Sequence, residues 1–157
     1  MEATLRRVFL QQAEACSRLG SPFTEAVCRA LADQLDSTSR FGARILAWRG
    51  DPIGDALALR AAGALNALAR SGQAPDLAAQ YPPSRLDEPA LRRALLEAIA
   101  VHDAFLYDYL DSPPQTNEVA RSSILLGAAL TLCADNELTL SWHEIGASAG
   151  VNLLFDE

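Results

Sequence analysis

The sequence predicts a mainly α-helical chain, a bundle of about six helices that ends in one β-strand and a glycine-rich turn, the opening of an α/β domain left incomplete. Three observations predict it. Apolar residues recur at helical spacing through most of residues 1–136; helix starts and stops fall at Ser-Pro or Asp-Pro pairs and at glycines; strict alternation begins only at residue 138. The expected organisation is a helical domain over 1–136, then the strand and its turn over 137–157.

Leu5, Phe9, Ala13 and Cys16 lie on one face of a first helix over 2–18, which Gly20 can close. Ser21-Pro22 offers a cap and a first-turn proline for a second helix carrying Phe23, Val27, Leu31 and Leu35. So short a turn predicts an antiparallel pair. Phe41, Ile45 and Trp48 mark a third helix over about 38–48, and Asp51-Pro52 opens an Ala-rich fourth running to Arg70, stopped by Gly72. A short turn of helix is expected around Leu77. Asp87-Glu88-Pro89 then starts a long helix to about Leu110, with Leu91, Leu95, Ile99, His102, Leu106 and Tyr109 in one stripe. Pro113-Pro114 breaks the pattern before a last helix over 115–134, expected to bury Val119, Leu126, Leu130 and Cys133.

Composition excludes several classes of function. Half of the 157 residues are apolar, enough for a sizeable core. A net charge of −7 argues against nucleic acid or an anionic membrane surface as partner. All 13 basic residues are arginine, which, with the abundance of alanine, suggests a GC-rich bacterial genome. The N-terminus lacks a secretory pattern, and the longest apolar run, 124–134, falls short of the ~20 residues of a membrane span. A cytoplasmic protein is expected. Cys16, Cys28 and Cys133 share no metal or disulfide spacing and read as buried small hydrophobes.

The chemistry concentrates near the end. Leu138-Thr139-Leu140-Ser141-Trp142-His143 reads as a strand, followed by Glu144-Ile145-Gly146-Ala147-Ser148-Ala149-Gly150 as a turn and by Val151-Asn152 as a helix start. A strand feeding a small-residue turn presents backbone N–H groups and a helix N-terminus at one point, suited to a cofactor's polar groups. Glu144-x-Gly146-x-Ser148-x-Gly150 is similar to the acid–glycine turn of methyltransferases that use S-adenosylmethionine, with Ser148 in place of the middle glycine. The resemblance implies Glu144, Gly146, Ser148, Gly150 and Asn152 as the cofactor side. The alternative to any ligand is a turn that merely lets strand and helix pack closely. Gly146-x-Ser148-x-Gly150 also satisfies the nucleophile elbow of α/β-hydrolases, but both histidines, His102 and His143, precede the serine, against that fold's order.

A second cluster, Gln115, Asn117, Glu118 and Arg121, enters the last helix and can serve as a substrate-binding wall through paired hydrogen bonds. Helix capping and an i,i+3 pair explain the same residues without a ligand. His102-Asp103 resembles half of a metal or acid–base pair, but His102 lies on the apolar stripe with no second ligand at i+4 and reads as an interior histidine.

Pro114-Gln115-Thr116-Asn117-Glu118-Val119-Ala120-Arg121-Ser122, the 144–153 segment, Leu19-Gly20-Ser21-Pro22 and Tyr81-Pro82-Pro83 together resemble an uncharacterised bacterial family, the domain of unknown function DUF2332. The resemblance implies a longer protein whose later half is Rossmann-like and methyltransferase-like, with no established catalytic residue. The expectation is the helical part of a protein that transfers a methyl group from S-adenosylmethionine to a small polar or carboxylate-bearing molecule, inactive as this fragment. The competing class is a non-enzymatic helical module that dimerises through residues 138–145, where an apolar strand edge would be exposed.

Overall fold

A computed structural model describes residues 2–114, 121–134 and 140–143, and the chain divides into two compact units, Met1–Pro114 and Gln115–Glu157. Among the described residues all regular structure is helical, in eight segments.

In the first unit α1 (Glu2–Arg18) and α2 (Pro22–Gln34) form the predicted hairpin. Gly20, at φ +72°, ends α1 as the Ser21 N–H reaches back to the Cys16 carbonyl at 2.9 Å and the Gly20 N–H to Ser17 at 3.1 Å. The pair is antiparallel: Arg6 near the start of α1 meets Asp33 near the end of α2 at 2.7 Å. Asp33 also takes Arg92 from a third helix at 3.1 Å. The hydrogen bond from Arg6, aided by Arg92, holds the Asp33 carboxyl below the usual carboxylate range.

Central to the unit is α4 (Leu57–Arg70), which packs on α1, α2, α5 (Pro75–Ala78) and α7 (Asp103–Tyr109). Leu57, Ala61, Ala64, Leu65 and Leu68 are wholly buried in it. Its small residues permit these close approaches. Phe9, Leu31, Phe41, Ile45, Leu77, Leu91, Leu95, Leu106 and Leu110 complete the core around it.

The fourth helix starts later than Asp51-Pro52 predicts. Asp51 instead folds a turn: its Oδ1 accepts the Ile53 N–H at 3.0 Å and its carbonyl the Asp55 N–H at 2.8 Å. Ala56 then adopts the left-handed conformation, φ 53°, so the helix begins at Leu57. The long helix expected over 87–110 is likewise two, α6 (Glu88–Val101) and α7, divided at His102. Asp103 accounts for the break. Its carboxylate accepts the Arg40 N–H at 2.9 Å and the Phe41 N–H at 2.7 Å, capping α3 (Arg40–Leu46) from 62 residues away along the chain. Ser39 Oγ accepts the Gly42 N–H at 2.9 Å, so three of the four free donors of that helix end are satisfied.

The second unit contains α8 (Arg121–Ala134); the rest of the expected 115–134 helix lies outside the described residues. Ala129 is buried, but Leu130, predicted to be interior, is 61% exposed and Leu126 and Cys133 are half-buried. The predicted strand is not borne out where it can be read. Residues 140–143 adopt no strand, since no neighbouring segment among the described residues supplies a ladder partner, and a lone extended segment gains nothing by becoming one. Leu138, Thr139 and the turn that would open a Rossmann-like domain lie outside the described residues.

Replacing Asp103 by Ala leaves two helix-end donors without their carboxylate, and a loss of about 2 kcal/mol in unfolding free energy is expected by urea titration. A Cβ on Gly42 would lie 2.0 Å from the Asp36 carbonyl oxygen, a backbone atom that cannot swing aside, so Gly42→Ala is expected to lower the melting temperature more than any helix-propensity gain raises it. Because the Asp33 pKa is depressed in the folded state, its contribution is full above the unfolded pKa, about 4, and is lost as pH falls through the folded value. Asp33→Asn is therefore expected to flatten the acid limb of a stability–pH curve.

Candidate functional site

The first unit carries a cleft of about 620 Å³ formed by α3, the segment after it and α7. That volume suits a small-molecule ligand. Its walls are Arg40, Ala43 and Arg44 of α3, Ala47, Trp48, Arg49, Gly50 and Asp55 of the following segment, and Tyr107 of α7. Three arginines and one aspartate thus face a single cleft in a chain of net charge −7.

The arginines and rings alternate. The Arg40 and Arg44 guanidinium carbons lie 4.5 and 4.7 Å from the Tyr107 ring centre, and those of Arg44 and Arg60 lie 5.9 and 5.8 Å from Trp48. Hydrogen bonds anchor two members of this ladder. Arg44 donates to the Tyr107 carbonyl at 2.5 Å and pairs with the Asp111 carboxylate. Arg60 donates to the Asp55 carbonyl at 2.7 Å and to the Leu110 carbonyl at 3.1 Å, tying the start of α4 to the end of α7. Arg40 and Arg49 differ: among the described residues neither guanidinium has a carboxylate partner, and both residues are exposed.

Asp55 is fixed by a bond of its own. Its Oδ2 accepts the Trp48 indole N–H at 2.9 Å, and Gly50 is pressed so closely on that bond that a Cβ there would fall 2.0 Å from the same oxygen. Only glycine fits without disturbing the pair.

The site residues predicted from sequence do not enter this cleft. Gln115, Asn117 and Glu118 lie outside the described residues, as do Glu144, Gly146, Ser148, Gly150 and Asn152; Arg121 is the first residue of α8. His102 is half-buried at the α6–α7 junction rather than interior, beside a smaller cavity with Gln73 and Glu97. His143 Nε2 is 3.1 Å from Ser141 Oγ, but both side chains are exposed and no carboxylate among the described residues orients the ring. Cys16 and Cys28 are buried as expected, and burial pushes the Cys28 thiol up to about 12, which keeps it protonated and unreactive; Cys133 is only half-buried.

Sequence reasoning missed the arginine cleft. A signal was present, since Arg40, Arg44 and Trp48 recur every four residues, the period of one helix face. Tyr107 and Asp55 could not be joined to it without the tertiary fold.

No group of three or more potential metal-ligating His, Cys, Asp or Glu side chains occurs among the described residues, and no described helix is long and apolar enough to cross a membrane. The first unit is thus a helical domain bearing an arginine-walled cleft. The family model "Uncharacterized protein conserved in bacteria (DUF2332)" matches residues 6–157, nearly the whole chain, and the protein belongs to that family. Among curated proteins and among solved structures, none matches the chain.

Gly50→Ala is expected to cost about 1 kcal/mol, the value of one hydrogen bond, because the short Asp55 side chain can rotate away from the new methyl. The released indole N–H should shift Trp48 fluorescence, read in a Trp142→Phe background.

Proposed function

We propose that this chain is the helical, ligand-recognising part of a protein that methylates a small acidic molecule with S-adenosylmethionine, and that the α3–α7 cleft takes the ligand's acid group. The observation that carries the recognition half is the pair of guanidinium groups, Arg40 and Arg49, that have no carboxylate partner among the described residues in a cleft of about 620 Å³. Guanidinium presents paired N–H donors that match a carboxylate or phosphate, and its charge cannot be removed by deprotonation at working pH. Ala43, Ala47, Trp48 and Tyr107 supply the apolar wall that would cover the ligand's carbon frame.

The methyl-transfer half draws its support from sequence spacing. Glu144, Gly146, Ser148, Gly150 and Asn152 follow the pattern of an S-adenosylmethionine turn, in which S-adenosylmethionine supplies the methyl group when bound. Gln115, Asn117, Glu118 and Arg121 remain candidates for further substrate contacts. On this reading the helical unit binds and orients the acceptor, and alignment of the reactants supplies most of the rate.

Isothermal titration with succinate and with inorganic phosphate tests the cleft. The wild-type protein should bind at least one, and the Arg40→Gln/Arg49→Gln variant should bind it more than about tenfold more weakly, the loss of roughly one charge-assisted contact. Binding unaffected by the double substitution would remove the cleft from the reading. For the cofactor, the full-length protein is expected to retain S-adenosylmethionine and to lose it with Gly146→Val; failure to retain it removes methyl transfer and leaves the cleft reading intact.

A helical interaction module is the second reading, favoured by α8. Its sequence is mostly apolar, and Ile124 and Leu130 are 75% and 61% exposed. A homodimer involving residues 138–145 would then rest on apolar side chains such as Leu140 rather than on a strand edge. Sedimentation equilibrium showing a monomer at high micromolar concentration would end it.

A further inference from the structure

We infer that the molecule recognised by the α3–α7 cleft is an amino-acid zwitterion, its carboxylate held by Arg40 and Arg49 and its ammonium by Asp55. The inference rests on the proposed recognition of an acid in this cleft and adds the second charged group.

Charges of both signs line the cleft without neutralising one another. Asp55 comes within 4.0 Å of none of the arginine nitrogens of Arg40, Arg44 or Arg49, although all four side chains border the same space. Structural reasons keep them apart. The Asp55 carboxylate is held by the Trp48 indole N–H at 2.9 Å, and Gly50 closes on the oxygen that accepts it. Its other oxygen, Oδ1, accepts no hydrogen bond among the described residues. Arg44 is committed to Asp111 and the Tyr107 carbonyl, which leaves Arg40 and Arg49 as the cleft cations without a carboxylate among the described residues.

A ligand that satisfies this arrangement carries one group of each sign. A dicarboxylate or a phosphate meets Arg40 and Arg49 well but places surplus negative charge beside Asp55. A simple amine finds Asp55 but faces three arginines. An amino acid answers both, its carboxylate meeting the arginines and its ammonium the open oxygen of Asp55. Fixed, separated charges of this kind select by repulsion as much as by attraction.

The wild-type protein is titrated calorimetrically with the twenty L-amino acids, β-alanine and γ-aminobutyrate, and the tightest binder is then compared with the acid lacking its amino group and the amine lacking its carboxylate. The amino acid is expected to bind at least about tenfold more tightly than either, the scale of one added charge-assisted contact. Asp55→Asn keeps a carbonyl oxygen for the Trp48 N–H while removing the charge; it should abolish the preference over the acid, weakening the amino acid without weakening the acid. Acids binding as tightly as amino acids, or a preference untouched by Asp55→Asn, would overturn the zwitterion while the acid-recognition reading stands. Failure of every amino acid and every acid to bind overturns both.

Discussion

The Asp103 carboxylate, seated on the N–H groups of Arg40 and Phe41, is the contact on which the described architecture turns. A seven-residue helix such as α3 has too few internal hydrogen bonds to persist alone. It survives because Phe41 and Ile45 are wholly buried, and because its exposed donors receive a carboxylate from a segment distant in sequence. The same bond lies directly after the break at His102 and joins the start of α7 to the start of α3. Tyr107 then meets Arg40 and Arg44, and the cleft exists because these two helices meet.

Local charge in the cleft opposes the sign of the chain as a whole. A field of net charge −7 repels anions at long range, so any anion that binds must be captured by short-range contacts in a partly desolvated recess. Arginine suits that task better than lysine, because its planar, weakly hydrated head can stack on a ring, as Arg40 does on Tyr107, while its N–H edge stays open to a ligand. An arginine supply that looks like a trait of genome composition thereby acquires a chemical use at α3.

Much of the helical framework was legible in local residue patterns. Gly20 after α1, Pro22 at the start of α2 and Asp87 before α6 act through their own backbone angles or bonds to neighbours a few residues away, and each falls where local rules place it. Local rules failed where two local solutions compete. Asp51-Pro52 is a good helix start, but the Asp51 side chain caps a turn instead, and Ala56 accepts a left-handed backbone so that Leu57 can enter the core. Alternation over residues 138–143 marks a strand only if a partner strand is present, and residues 140–143 have none among the described residues. The candidate site was less legible still. Arg40, Arg44 and Trp48 share a visible spacing, but Trp48 is equally in register with Phe41 and Ile45, so the spacing marks a helix and not a site.

The sequence alone determined that this chain is helical, with a core rich in leucine and alanine and an acidic surface, because helix periodicity and net charge are local or additive properties. It also determined the family. The tertiary structure alone decided that α6 and α7 are separate, that three arginines share one cleft with Asp55, and that those charges stand apart. Such facts depend on residues dozens of positions distant meeting in space, and no pattern along the chain records where a distant carboxylate will come to rest.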